Sequence, residues 1–236
     1  MSDGARRRDV IAIGGGGFVG DPQNLALEKY LLDQSSKERP NALMIATARG
    51  DDAGYVEKFH AAFGSLGATT RDLPFFHRTP DLRSLILNQD VIYVGGGNTK
   101  SMLAVWRDWG LTDILREAFD AGIVLGGQSA GAICWFEQGV TDSWADRLRP
   151  LDCLGFLPGS CCPHYDGEVE RRPAYHALIE QAQIRPGYAI DDRVAAHFRN
   201  GHLLRVVSKK AGATAYHVAV DAGRVTEQPL PAIVLA

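Results

Sequence analysis

No stretch of this sequence approaches the roughly 18–20 consecutive apolar residues that a membrane helix needs, so no membrane is expected as a partner. Charge of one sign is scarce too. Twenty-five Lys and Arg against 28 Asp and Glu leave a net charge of −3, and a field that weak holds no polyanion, which argues against nucleic acid. Cysteine is sparse. Cys134, Cys153, Cys161 and Cys162 follow no regular spacing, which excludes a disulfide framework and predicts a reduced, cytoplasmic chain. The basic N-terminus, Met1 to Arg8, runs straight into a short strand-like segment, so it does not read as a signal peptide. No internal repeat, low-complexity tract or linker interrupts the 236 residues. That length is read as one α/β domain over 1–236, and nothing indicates whether it forms a homodimer. With 45% hydrophobic and 22% charged residues, the composition is that of a folded chain. Glycine is what stands out. Its 26 residues are about 11% of the chain against a usual 7% or so, and they are clustered.

Short apolar runs alternate with helical patterns through the first half. Asp9–Ile13, Ala42–Ala46, Ala68–Leu73, Asp90–Val94 and Ile123–Leu125 read as strands. Leu25–Leu32, Tyr55–Leu66, Ser101–Trp109 and Thr112–Ala121 carry helical periodicity between them. Apolar strands separated by helices predict βαβ units and a mostly parallel sheet flanked by helices. Another helix is predicted from Arg172 to Gln183, with Pro173 in its first turn. Beyond Gly187 the runs Arg193–Phe198, His202–Val207 and Ala213–Val220 are short, and Asn200-Gly201 marks a hairpin. The C-terminal third therefore reads as antiparallel strands added to the same sheet.

Ligands of an open parallel sheet bind beyond the carboxyl ends of its strands, and three glycine clusters sit at such ends. The first, Gly14 to Gly17, contains a literal G-x-G-x-x-G at Gly15, Gly17 and Gly20. It lacks a helix opening within the motif and a ribose-binding acid downstream, so it reads as a structural turn lining a cleft. A non-enzymatic module using these loops for a nucleotide phosphate remains the alternative outside catalysis. The third cluster, Gly127-Gln128-Ser129-Ala130-Gly131, fits G-x-S-x-G between a strand and a helix-compatible segment through Phe136. Such a turn exposes the serine hydroxyl and frees the next amide, here that of Ala130, for an oxyanion. The simpler role for Ser129 is a helix cap.

A serine nucleophile needs a base. His164, after Gly159-Ser160-Cys161-Cys162-Pro163 at a strand's end, is the candidate, whereas His60, His176, His197, His202 and His217 read as packing or surface residues. Asp142 lies between serine and histidine and could orient the imidazole or merely cap a turn. Glu137, Asp166, Asp191 and Asp192 compete with it, Glu137 least because it is read as lying on the helix after Ser129. The second cluster, Gly95-Gly96-Gly97-Asn98-Thr99, could give a second oxyanion donor at Gly96, or simply lead into a helix capped by Asn98 or Thr99. His164, Asp166 and Glu168 do not suggest a metal site, because Asp166-Gly167 signals a turn and no second ligand set exists. No cofactor is expected.

Together, Val94-Gly95-Gly96-Gly97-Asn98-Thr99, Gly127-Gln128-Ser129-Ala130-Gly131-Ala132 and Pro163-His164 resemble the dipeptidase E and cyanophycinase family of serine peptidases. The resemblance runs from the first strand to about Asp192. It implies a fold like that of class I glutamine amidotransferases and a serine exopeptidase working on short peptides through an acyl-enzyme. It also implies Ser129 as nucleophile, His164 as base, and the amides of Gly96 and Ala130 as oxyanion hole, with Asn98 nearby in the substrate cleft. The dipeptidase branch removes N-terminal aspartate and holds it with a cation beyond the histidine. Arg171 or Arg172 falls in that region here, although an arginine pair is as often a solvated helix start. The acid lies further from the serine in those enzymes than Asp142 does here. An α/β-hydrolase-type esterase or amidase shares the elbow and the Ser–Asp–His order, but takes its acid and histidine from later strands.

Overall fold

A computed structural model describes residues 7–235. The first half alternates strand and helix, with two successive helices before the last strand: β1 (Asp9–Ile13), α1 (Ala26–Leu32), β2 (Asn41–Ile45), α2 (Ala53–Ser65), β3 (Thr69–Leu73), α3 (Leu82–Leu87), β4 (Val91–Val94), α4 (Thr99–Asp108), α5 (Leu111–Asp120) and β5 (Val124–Gln128). Then follow α6 (Ala130–Ile133), β6 (Phe136–Thr141), β7 (Arg149–Asp152), β8 (Leu157–Cys162), α7 (Arg171–Glu180) and β9 (Gly187–Ile190). The chain ends in β10 (Val194–Arg199), β11 (His202–Ser208), β12 (Ala215–Asp221), β13 (Arg224–Leu230) and β14 (Ala232–Val234). Helix starts follow the expected chemistry. Asp52, Asp81 and Asn98 each accept a hydrogen bond from a backbone N–H in the first turn of α2, α3 and α4.

Two sheets result. One has eight strands in the order β14-β11-β10-β1-β5-β4-β2-β3, the other six in the order β13-β12-β9-β8-β6-β7. In the first, β1, β5, β4, β2 and β3 pair in parallel, as strands joined by helices must. β10 joins β1 antiparallel, and β11 folds back on β10. The Asn200-Gly201 turn between them has both residues at positive φ, the conformation that twists with a hairpin. The antiparallel strands of the last third are therefore present but divide between the sheets, β10 and β11 in one, β12 and β13 in the other.

Residues after Ser129 depart most from the periodicity. The helix expected to run to Phe136 is one turn long, and Phe136 opens β6. Glu137 is consequently a strand residue, accepting from the Gly159 amide at 2.8 Å and pairing with Arg185. One face of the eight-stranded sheet is covered by α1 and α2 around Phe18, Phe59, Phe63 and Tyr93. The other packs through Trp106, Leu115, Ile133, Trp135 and Phe198 toward α4, α5, α6 and the second sheet. Helix α7 covers the second sheet's far side with Tyr175 and Ile179. Among the described residues no helix is long and apolar enough to cross a membrane.

Candidate active site

Ser129 follows the last residue of β5 in a strained backbone, φ 56° and ψ −112°. A conformation of that kind costs about 1–3 kcal/mol for a residue with a side chain, and tight packing holds it here. A Cβ on Gly127 or Gly131 would overlap the Val94 carbonyl of the neighbouring strand, so only glycine lets the elbow press against β4. The Ser129 amide donates to Ile13 O at 3.0 Å, pinning the turn to the end of β1. Helix α6 begins immediately, and among the described residues the Ala130 amide has no acceptor. The Ser129 side chain does not cap that helix. Its hydroxyl takes no hydrogen bond among the described residues.

His164 stands two residues beyond β8 with φ 54°. Its Nδ1 meets Asp192 Oδ1 at 2.8 Å. That hydrogen bond, reinforced by the charges of His164, Arg193 and Arg171, holds the Asp192 carboxyl below the usual carboxylate range although burial opposes it. The acid expected at Asp142 is thereby corrected. Asp142 ends up beyond β6 on an exposed turn, its carboxylate 70% exposed and 3.8 Å from Arg171. Asp192 instead belongs to the three-residue crossover that takes the chain from β9 in one sheet to β10 in the other. Its competitors are otherwise engaged: Asp166 accepts from the Asp192 amide, and Asp191 from the Thr214 amide.

The first glycine cluster joins the two halves of the site. Gly15 bridges Asp192 in parallel register, and a Cβ there would lie 2.5 Å from the His164 ring. Two residues earlier, Ile13 holds the Ser129 amide. The loop read as a structural turn lining a cleft thus lies against the imidazole and Asp192, and the strand before it holds the elbow.

Several expected contacts are rearranged. Gly96 does border the serine, its Cβ position lying 3.1 Å from that of Ser129. Its N–H, however, donates to the Tyr55 hydroxyl at 3.3 Å. Tyr55 also accepts from Gln128 Nε2, and Gln128 Oε1 accepts from the Gly17 amide, so one buried network braces both glycine loops behind the elbow. Asn98 spends its side chain on the Ser101 amide and the Ser143 carbonyl, the capping role rather than a substrate contact. Arg171 is buried, donating to Glu168 at 2.6 Å and Val140 O at 3.2 Å. Arg172 pairs with Glu227 at 3.5 Å and lies over the Tyr165 and Tyr216 rings. Both arginines make contacts within the protein where α7 docks its first turn on the second sheet. Among the described residues no cluster of three His, Cys, Asp or Glu is arranged to hold a metal.

A strained serine at a strand–helix turn and a histidine oriented by a carboxylate are the parts of a hydrolase, and the chain's relatives are peptidases. The family profile described as Peptidase family S51 matches residues 10–206, and the chain belongs to that family. It is 50% identical over 225 residues to a Bacillus subtilis (strain 168) protein named "Uncharacterized peptidase YgaJ", covering 95% of this chain and 97% of that one. It is 28% identical to a Haemophilus influenzae Peptidase E over 74% of this chain and 83% of the relative. Among solved structures, a peptidase from an acI-B1 Actinobacterium shares the fold with TM-score 0.75 and 19% identity, over 97% of this chain and 96% of its own.

Proposed function

We propose that this peptidase is a serine exopeptidase that hydrolyses short peptides through an acyl-enzyme on Ser129. The observation that carries the reading is the His164–Asp192 hydrogen bond beside Gly15, two residues after the Ile13 carbonyl that holds the Ser129 amide. With Nδ1 committed to Asp192, Nε2 is the nitrogen left to accept the serine proton. The Ser129 oxygen then attacks the scissile carbonyl, and the free Ala130 N–H stabilises the oxyanion. His164 returns the proton to the leaving amine, and water reverses the sequence to release the acid. Among the described residues Ser129 and His164 make no hydrogen bond to each other, and the proposed proton transfer takes place once a bound peptide completes the geometry. Gly96 can add a second donor only by releasing Tyr55. The four thiols are unpaired, which suits a reducing compartment such as the cytoplasm.

The test is labelling with a fluorophosphonate followed by peptide mapping, alongside Ser129→Ala and a panel of dipeptides. The label is expected on Ser129, and the alanine variant should lose about 10⁴-fold or more in turnover. A label elsewhere, or an alanine variant with full activity, would refute the mechanism.

A further inference from the structure

The three glycines between β4 and α4 each give way to a different neighbour. A Cβ on Gly95 would overlap the Tyr55 ring, one on Gly96 would lie 3.1 Å from Ser129 Cβ, and one on Gly97, at φ 141°, would overlap the Ala48 carbonyl. The loop therefore lies against both the elbow and the short turn Thr47–Arg49 that follows β2. Backbone bonds tie it to that strand end: the Gly95 amide donates to Ile45 O at 3.0 Å, and the Asn98 amide to Ala48 O at 2.8 Å. Arg49 adds a side chain to this attachment. Its Nε donates to Gly96 O at 3.2 Å, and its guanidinium lies 4.7 Å from the centre of the Tyr55 ring. The residue is exposed, and among the described residues it makes no ion pair. Its hydrogen bond goes to a neutral carbonyl beside the serine.

Resting on the serine peptidase reading, we propose that Arg49 is a positioning residue, holding the Gly96–Gly97 peptide in the plane that oxyanion stabilisation at Ser129 requires. A trans peptide is planar, with its N–H directed opposite to its C=O, so a donor fixed on Gly96 O also fixes the direction of the Gly97 N–H. That amide has no acceptor among the described residues, whereas the Gly96 amide is taken by Tyr55. Without such a hold the peptide between two glycines would rotate easily, because neither carries a side chain to limit its dihedrals. A charged donor on the carbonyl also polarises the peptide and strengthens the N–H at its other end. Gly96 is the loop residue that borders the serine, its Cβ position 3.7 Å from Ser129 Oγ. A tilt of the peptide that follows it is therefore felt where the attacked carbonyl would sit.

Two substitutions isolate the hydrogen bond. Gln carries an N–H donor as many bonds from Cα as Arg Nε, whereas Met ends there in a methyl group. Both lose the contact over Tyr55, so the difference between them reports the bond to Gly96 O alone. The readout is the second-order rate at which a fluorophosphonate labels Ser129, since its phosphoryl oxygen occupies the oxyanion position and no substrate need be known. Arg49→Met should label about tenfold or more slowly than the wild type, as lost orientation at a reacting centre predicts. Arg49→Gln, which keeps the donor, should retain about a third or more of the wild-type rate. Both variants should melt within about 2 °C of the wild type, because the side chain is exposed. The pH midpoint of labelling should be the same in all three proteins, since the His164–Asp192 pair is untouched. An Arg49→Met protein that labels at the wild-type rate, an Arg49→Gln protein as slow as Arg49→Met, or a midpoint that moves would overturn the proposal. Absent labelling of the wild type sinks the hydrolase reading beneath it, whereas labelling at equal rates in all three removes only the role of Arg49.

Discussion

Ser129, His164 and Arg193 all carry side chains at positive φ, near 56°, 54° and 65°, and the end of β1 with its glycine loop touches all three. Strain gathered in this way persists only where surrounding structure over-determines it. Here the overdetermination comes from close backbone approach: the elbow on the Val94 carbonyl, and Gly15 on His164 and Asp192. At this scale the two aspartates separate cleanly. Asp192→Asn would keep the hydrogen-bond geometry but favour the wrong imidazole tautomer, so kcat should fall about 10³–10⁴-fold. Asp142→Asn touches only an exposed turn, and kcat should stay within a factor of about three. Steady-state turnover of one dipeptide by the two variants checks both expectations, and reversed magnitudes would return the acid to Asp142.

Elements bring these residues together by ending at one place. Strands β5 and β1 deliver Ser129 and the first glycine loop from one sheet, while β8 delivers His164 from the other. The β9–β10 crossover belongs to both. Helix α7 has a different task, since its first residue, Arg171, ties the second sheet's β6 to the loop carrying Glu168. Arg171→Met should leave the Val140 carbonyl unpaired in a buried setting and cost about 2 kcal/mol, a fall in Tm of roughly 4–8 °C for a chain of this size. Apart from the six-residue α3, too short to show a period, the helices and strands of the first half were legible because apolar strands and helical periodicity alternate along the chain. From Phe136 to Ile190 the strands β6 to β9 are short and irregular, with Gly139, Pro150, Pro158 and Gly159 inside them. Periodicity has little to act on there, and the six-stranded sheet stayed hidden.

Across the whole molecule, carboxylates held by cations sit at both ends of the eight-stranded sheet. Burial pushes the Asp9 carboxyl up, but hydrogen bonds from His197, Arg199 and Arg7 outweigh it and hold its pKa at about 2 against 3.8. Asp192, at the end that carries Ser129 and His164, is likewise lowered. A folded pKa below the unfolded one means stability that is complete above the unfolded value and lost as pH falls through the folded one. Denaturant midpoints should therefore be level from about pH 5 upward and drop between roughly pH 4 and 2. Asp9→Asn should be less stable at neutral pH and show a shallower acid-side fall. An acid limb unchanged by that variant would remove Asp9 from the account.

The chemistry that can be read along the chain is local: a serine between glycines after a strand, a histidine at another strand's end, an amide next to the serine. Each depends on neighbours within a few residues, so Ser129, His164 and Ala130 could be singled out from order alone, as could the helices between parallel strands. Pairings across the chain carry no such signature. Asp142 and Asp192 are both plausible acids in one dimension. Asp192 reaches His164 because β8 and β9 pair in parallel and the chain then crosses to β10. Asn98 and Arg171 are engaged within the protein, and Arg172 lies on the Tyr165 and Tyr216 rings, through caps, ion pairs and stacking that form only once loops and sheets pack.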